Sequence, residues 1–135
     1  MTNSSNTIFP KGEKAAPDYF VGTAYVNPLV PNDPTLHIQI WDVVFEAGAR
    51  NNWHTHAGGQ ILMATKGVGY YQEKGKAIQI LRQGDVVNVP PNVKHWHGAS
   101  PDSEFTHLAI NPNTQGGVTV WLEQVTDEEY NGPTQ

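Results

Sequence analysis

The 135-residue sequence contains no cysteine, so disulfide bonds are excluded and any bound metal ion must be held by nitrogen and oxygen ligands. It has no cluster of Lys or Arg, and its formal net charge of −5 argues against nucleic acid or an anionic membrane as a partner. No apolar run is long enough to cross a bilayer, and the polar start from Met1 to Pro10 lacks an apolar signal core. A cytoplasmic protein is therefore the default expectation.

Glycine and proline are plentiful, with 13 and 10 residues, and they separate short apolar runs. This pattern predicts many strands joined by turns rather than long helices. A hairpin turn is expected at residues 73–76, and helix character is confined to residues 126–130, with Thr126 as the N-cap. The strand candidates are 20–26, 35–46, 61–65, 68–72, 77–82, 85–89, 105–111 and 118–125.

About eight short strands favour an all-β fold, an antiparallel sandwich or barrel in one domain. Residues 1–18 are interpreted as an N-terminal arm, residues 19–130 as the domain and residues 131–135 as a tail. In the candidate strand 35–46, Trp41 and Val43 share one parity and are predicted to face the interior. A change of parity near Trp41 is typical either of a bulge or of a strand buried on both faces.

Two histidine pairs carry the functional signal. His54 and His56 are two residues apart, so an extended strand points both imidazoles to one face, and the turn-forming residues 57–59 can bring Gln60 back toward them. His95 and His97 repeat this spacing after a Pro-Pro-Asn turn. Unligated imidazoles inside a barrel would need many hydrogen-bond partners, so the two pairs together indicate a metal site.

The spacing of these residues resembles the two motifs of the cupin family. The first runs from Gly48 through His54, His56 and Gln60 to Gly67, and the second runs from Gly84 through Pro90 to His95. The resemblance implies a single-domain cupin, a jelly-roll-like antiparallel β-barrel preceded by the arm. Gln60 and Asn92 stand where the family usually has Glu and Gly, and Asn tolerates a positive φ better than most residues.

Longer strings, such as those at 53–60, 94–99 and 121–130, are similar to small bacterial cupins that include manganese-dependent hydroxynitrile lyases and proteins related to carboxymuconolactone decarboxylase. This resemblance implies a homodimer and one divalent ion per chain. The ion would be manganese, with iron, nickel and zinc as alternatives. The implied metal ligands are His54, His56, Gln60 and His95, and the implied catalytic candidates are His97 and His107.

Two positions qualify that picture. An amide at Gln60 leaves the ion's charge uncompensated, which would make it a stronger Lewis acid, although Gln60 could instead only hydrogen-bond near a three-histidine site. Trp41 stands where the lyase-like cupins have a small residue, so with Val43 it is expected to reshape the substrate pocket or to fill the core. His97 is expected to point inward but to lie past ligand distance.

Three functions follow from these expectations. The first is a metal-dependent lyase that cleaves a small cyanohydrin to a carbonyl compound and cyanide, with His97 or His107 accepting the hydroxyl proton. The second is a dioxygenase with iron at a three-histidine site. The third is a protein that binds or senses a small molecule without turnover, which requires no proton-transfer group.

Overall fold

The computed structural model describes residues 8–135, and their regular structure is almost entirely antiparallel β-strand. No helix in this part of the chain is long and apolar enough to span a membrane. The strands are β1 (Glu13–Lys14), β2 (Phe20–Val21), β3 (Ala24–Asp33), β4 (Ile38–Phe45), β5 (Arg50–Asn51), β6 (His54–Thr55), β7 (Gln60–Glu73), β8 (Gln79–Arg82), β9 (Val86–Val89), β10 (His95–Ala99), β11 (Phe105–Pro112) and β12 (Val120–Trp121), and the α-helix is α1 (Asp127–Tyr130).

The strands form one curled antiparallel sheet, and β7 joins its two halves. On one side of β7 the order runs through β11 and β4 to β3 and β1, and on the other side it runs through β10 and β5 to β2. The strands β8 and β9 also pair with β7, while β6 pairs with β10 and β12. The all-β, jelly-roll-like prediction is therefore confirmed, although the described residues form more strands than expected and their lengths range from two to 14 residues.

The long strand β7 corrects the prediction of two strands at 61–65 and 68–72. Gly67 lies in its middle with φ 80°, and the register with β11 shifts between Thr106 and His107. The chain therefore bends here without leaving the sheet, and its first part pairs with β9 while its second part pairs with β8. The predicted hairpin turn between β7 and β8 is confirmed, because Lys76 N–H donates to the carbonyl of Glu73 at 3.0 Å.

The N-terminal region differs from the expectation in three ways. The strand predicted at 20–26 is split by Gly22, which has φ 79°, into β2 and β3. The strand β3 then continues through Pro28 and Pro31, where it pairs only with β4 and its register shifts twice. Its other edge has no partner strand there among residues 8–135, so the amide hydrogens that proline lacks are not needed for pairing on that side. Part of the predicted arm, Glu13–Lys14, is a strand on β3. Residues 1–7 of the arm lie outside the described part of the chain.

The main core fills the concave side of the sheet, and β4 contributes Val43 and Phe45 to it as its alternation predicted. Trp96, between the two histidines of β10, points the opposite way into a second cluster with Trp53 and Tyr130. The predicted helix is confirmed at Asp127–Tyr130, where the Thr126 hydroxyl accepts from the Glu129 N–H at 3.0 Å. These two packed layers hold β6 and β10 in place.

Candidate metal centre

Strand pairing brings the two histidine motifs together. The strands β6 and β10 are antiparallel, and His54 lies directly opposite His95. The turn before β10 is completed by Asn92, which has φ 63° as its side chain allows and whose N–H donates to the carbonyl of His56 at 2.9 Å. His54, His56 and His95 are 1%, 4% and 0% exposed, so the sequence places three imidazoles in one buried space.

Each of these three imidazoles donates its Nδ1 hydrogen to a backbone carbonyl. His54 donates to Asn52 at 2.8 Å, His56 to Val118 at 2.7 Å and His95 to Val93 at 2.9 Å. A carbonyl can only accept, so each neutral ring must carry its hydrogen on Nδ1 and present a bare Nε2. Fixing the ring through its second nitrogen is the arrangement that orients histidine ligands of metal ions.

Gln60 adds an oxygen acceptor to the same space. Its Oε1 atom lies 3.0 Å from Nε2 of His95, and its Nε2 atom donates to Oδ1 of Asn111 at 2.8 Å. Because His95 uses its hydrogen on Val93, the 3.0 Å contact joins two lone-pair acceptors with no hydrogen between them. Such a pair is repulsive unless a cation lies beside it, so the donor set fits a positive ion.

The direction of the pKa shifts of these groups agrees with that description. Burial lowers the pKa of His95 to about 4 and holds the pKa of His54 well below its ordinary value, with the neighbouring histidines adding to the shift. The pKa of His56 is also lowered by burial. Its Nε2 atom is buried and has no hydrogen-bond partner among the described residues. Neutral imidazoles are the form that binds metals.

Ring nitrogens of His54, His95 and His97 lie within 4.8 Å of one another, which is a geometry that could hold a metal ion. This three-histidine group indicates a divalent metal site. It differs from the set expected by resemblance, because it includes His97, which was expected past ligand distance, and not His56. Gln60 lies beside this group because its Oε1 atom is 3.0 Å from Nε2 of His95. This position is compatible with both predicted roles of Gln60, as a metal ligand and as a hydrogen-bonding neighbour of the site.

His97 and His107 form a buried pair beside that group. Nε2 of His107 and Nδ1 of His97 are 3.0 Å apart, and one of them donates to the other. Asn51 fixes His97, since its Oδ1 accepts from the His97 backbone N–H at 3.0 Å and its Nδ2 faces the ring at 3.3 Å. Burial lowers the pKa of His107 to about 4 and that of His97 well below its ordinary value, so both are neutral bases near pH 7.

A cavity of about 510 Å³ opens onto the histidine group. Trp41 and Val43 line it, as the strand parity predicted, and His97 also lines it, whereas His107 lies behind His97 and does not. The outer wall is formed by residues of the predicted arm and by Trp121. The ring centroids of Trp121 and His54 are 4.8 Å apart, and Trp121 also stacks on Tyr19. The cavity is lined by Ala15, Ala16, Tyr19, Phe20, Val26, Gln39, Trp41, Val43, Asn51, His54, His56, Gln60, His97, Ala109, Asn111, Val118, Thr119 and Trp121.

Three amide residues of the site were not predicted from the sequence: Asn51, Asn111 and Gln39. Asn111 could have been found, because it shares the parity of His107 on the predicted strand 105–111, and that face was expected to border the cavity. Gln39 likewise shares the parity of Trp41. No sequence pattern indicated a role for Asn51, since it precedes the first histidine motif and lies in a strand of only two residues.

Comparison with known proteins agrees with this geometry. The profile of the cupin domain family matches residues 41–111, which is more than half of the chain. The chain belongs to the cupin family. Among solved structures, this cupin is similar to a cupin-like protein from Thermotoga maritima, with a TM-score of 0.92 and 49% identity over 96% of this chain and 98% of the other.

Curated relatives of this cupin have two different names. An (R)-mandelonitrile lyase from Granulicella tundricola is 46% identical over 87% of this chain and 89% of its own length. An acireductone dioxygenase from Hahella chejuensis is 30% identical over 56% of this chain, and the match spans 40% of the dioxygenase. These comparisons establish the family.

Proposed function

We propose that this cupin is a metal-dependent lyase that cleaves a small cyanohydrin into a carbonyl compound and hydrogen cyanide. The observation that carries the proposal is the facing pair of acceptors, His95 Nε2 and Gln60 Oε1, next to a neutral His97 at the base of a cavity. The similarity to a mandelonitrile lyase along almost the whole chain supports the same reaction.

His54, His56, Gln60 and His95 would hold one divalent ion. When bound, it would supply Lewis-acid stabilisation of the negative charge that develops on the substrate oxygen. An amide rather than a carboxylate at Gln60 leaves more of that positive charge for the substrate. We propose manganese as the ion, on the basis of the resemblance to manganese-dependent lyases.

His97 would accept the proton of the substrate hydroxyl. As the carbonyl forms, the bond to the nitrile carbon breaks and its electron pair leaves with cyanide, which then takes the proton from His97 to give hydrogen cyanide. His107 contacts His97 and does not reach the cavity, so it would act by orienting and polarising His97. Trp41 and Val43 would bind the organic part of the substrate on the apolar wall.

The reaction is tested with His97→Gln, which removes the base and retains a polar side chain. We expect purified His97→Gln to keep the metal content of the wild type and to lose at least about 100-fold in mandelonitrile cleavage, since a positioned base contributes about 10²–10⁴-fold. Elemental analysis measures the metal, and the absorbance of benzaldehyde measures cleavage.

The matched control is His37→Gln, because His37 is exposed in the turn before β4 and does not line the cavity. This control should leave metal content and cleavage unchanged. Full activity in His97→Gln, or wild-type cleavage that persists after complete removal of the metal, would refute the lyase proposal.

Dioxygenase activity is the second candidate, supported by the three-histidine group and by the similarity to acireductone dioxygenase. Protein loaded with iron should then consume oxygen when given an acireductone. If neither cyanohydrin nor acireductone is turned over but both metal and an aromatic acid bind, the remaining reading is a small-molecule-binding cupin without catalysis.

We also propose that the protein is a cytoplasmic homodimer. The convex face of the sheet, defined here by Ile40, Met63, Val86 and Leu108, carries apolar side chains, and Met63 and Val86 are 36% and 59% exposed. A second copy would cover this face.

A further inference from the structure

A chain of three side-chain amides runs from the histidine group to the cavity wall. Nε2 of Gln60 donates to Oδ1 of Asn111 at 2.8 Å, and Nδ2 of Asn111 donates to Oε1 of Gln39 at 3.1 Å. Antiparallel pairing of β4 and β11 places Gln39 directly opposite Asn111. Gln60 and Asn111 are 3% and 4% exposed, so water does not compete for the bond between them.

The direction of this chain decides which end of Gln60 faces His95. An amide oxygen can bind a cation, whereas an amide NH₂ group is only a donor. If Gln60 turned over, its oxygen would face the Asn111 oxygen and its NH₂ would satisfy the bare Nε2 of His95. With Asn111 in place, that change requires all three amides to reverse together.

We propose that Asn111 is a positioning residue that keeps the Gln60 carbonyl oxygen, rather than its NH₂ group, directed at the metal site. The inference rests on the proposed metal-dependent function, and it adds a residue outside the expected ligand set. A carboxylate at position 60 has no hydrogen to donate, so it would require Asn111 and Gln39 to turn over, whereas Gln60 is compatible with the observed direction of the chain.

A second consequence concerns the cavity wall. Because Gln39 Oε1 is engaged by Asn111, the Gln39 NH₂ group is the end left free to face the cavity, which Gln39 lines. Reversal of the amide chain would exchange this donor for an acceptor. The orientation of Gln60 and the polarity of the wall are therefore coupled.

The test is the affinity for Mn²⁺ alone, measured by isothermal titration on metal-free protein and repeated with Zn²⁺. Asn111→Leu has a similar shape and no acceptor, so we expect Kd to rise about 10–100-fold, the usual effect of losing a partner that orients a ligand. Asn111→Asp keeps the oxygen that accepts from Gln60, so we expect it to bind at least as tightly as the wild type.

A double-mutant cycle separates positioning from packing. In a Gln60→Leu background there is no amide to orient, so adding Asn111→Leu should leave Kd unchanged. If Asn111→Leu weakens binding equally in both backgrounds, or if Asn111→Asp weakens binding as much as Asn111→Leu, Asn111 acts by packing and the inference is wrong.

Three further outcomes complete the test. If Asn111→Leu loses cooperative unfolding, Gln39→Leu replaces it, since it removes only the acceptor of Asn111; a several-fold rise in Kd supports the inference and an unchanged Kd overturns it. If the wild-type protein binds neither ion, the proposed metal site itself fails. If the wild type binds and Asn111→Leu binds equally well, only the positioning role fails.

Discussion

Asp42 is a buried carboxyl group that does not line the cavity. It lies on the opposite side of β4 from Trp41, is 3% exposed, and its Oδ2 atom has no hydrogen-bond partner among the described residues. Burial raises the pKa of Asp42 from 3.8 to about 6, because the charged form loses its hydration. The folded protein therefore holds a proton there that the unfolded chain has already released.

This difference predicts how stability depends on pH. Between about pH 4 and pH 6 only the folded state binds this proton, so Asp42 lowers the free energy of unfolding as the pH rises, by up to about 3 kcal/mol at 1.36 kcal/mol per pKa unit. The buried histidines, whose pKa values are lowered, act in the opposite direction over the same range, so the contribution of Asp42 is the difference between the slopes of the wild type and Asp42→Asn. Urea unfolding at pH 4, 5, 6 and 7 measures this. Asp42→Asn should lose that part of the slope, whereas Asp102→Asn, at an exposed position, should keep it. Equal slopes in Asp42→Asn and the wild type would contradict the assignment.

The histidine motifs were predictable because period-two spacing fixes which side chains share a strand face. The pairing of His54 with His95 needed a second condition, the register of β6 against β10, which only the resemblance supplied. The amides were not predictable in the same way. Their role depends on the contacts of Gln39, Asn111 and Gln60 across separate strands, and no spacing within one strand encodes those contacts.

At the scale of elements, β7 determines the curvature of the sheet through Gly67. The φ of 80° is costly for any residue with a side chain, and a Cβ atom there would overlap the carbonyl oxygen of Glu104. Gly75 has a similar φ of 88°, yet a Cβ atom at that position would meet nothing within 4 Å. The two glycines share the conformation and differ in the space around them.

Substitution of each glycine by alanine separates these two effects. Gly75→Ala should cost about 1–2 kcal/mol of stability, the cost of a left-handed residue. Gly67→Ala should cost about 1–3 kcal/mol more, because the backbone of Glu104 must also move. The free energy of unfolding in urea measures both, and equal losses at the two positions would show that the close approach at Gly67 does not matter.

Strand boundaries were the weakest part of the sequence prediction for a physical reason. Proline and glycine usually end a strand, so β3 was expected to end before Pro28 and β7 to break at Gly67. In the fold, the prolines lie where β3 pairs only with β4, and the glycine bends a strand that passes between two halves of the sheet. Both features depend on how the strands pair in the folded protein, so they cannot be predicted from local sequence propensity.

At the scale of the whole molecule, the convex face defined by Ile40, Met63, Val86 and Leu108 is the surface through which the proposed homodimer would form. Met63→Asp places a charge at the middle of that face, so we expect the mass measured by light scattering to fall from two chains to one. Leu36→Asp is the control, because Leu36 is 68% exposed in the turn before β4, away from the face. A wild-type monomer, or a dimer unaffected by Met63→Asp, would contradict the assignment.

The fold class and the position of the site followed from the sequence as a whole, because the alternation of strands and two motifs at full spacing all agree with one curled sheet. The path of the N-terminal region could not be predicted from the sequence. Residues predicted as an arm contribute Ala15 and Ala16 to the cavity wall, and this depends on β1 pairing with β3. The substrate would therefore be enclosed in part by a segment that composition alone assigns to no element.

The most direct test of the account is a crystal structure of the protein grown with Mn²⁺, with data collected at the manganese absorption edge. We expect one anomalous peak per chain, at ligand distance from Nε2 of His54, His56 and His95 and from Oε1 of Gln60. A peak held by His54, His95 and His97 without His56 or Gln60 would contradict the proposed ligand set. The absence of any peak in the cavity would contradict the metal-dependent function altogether.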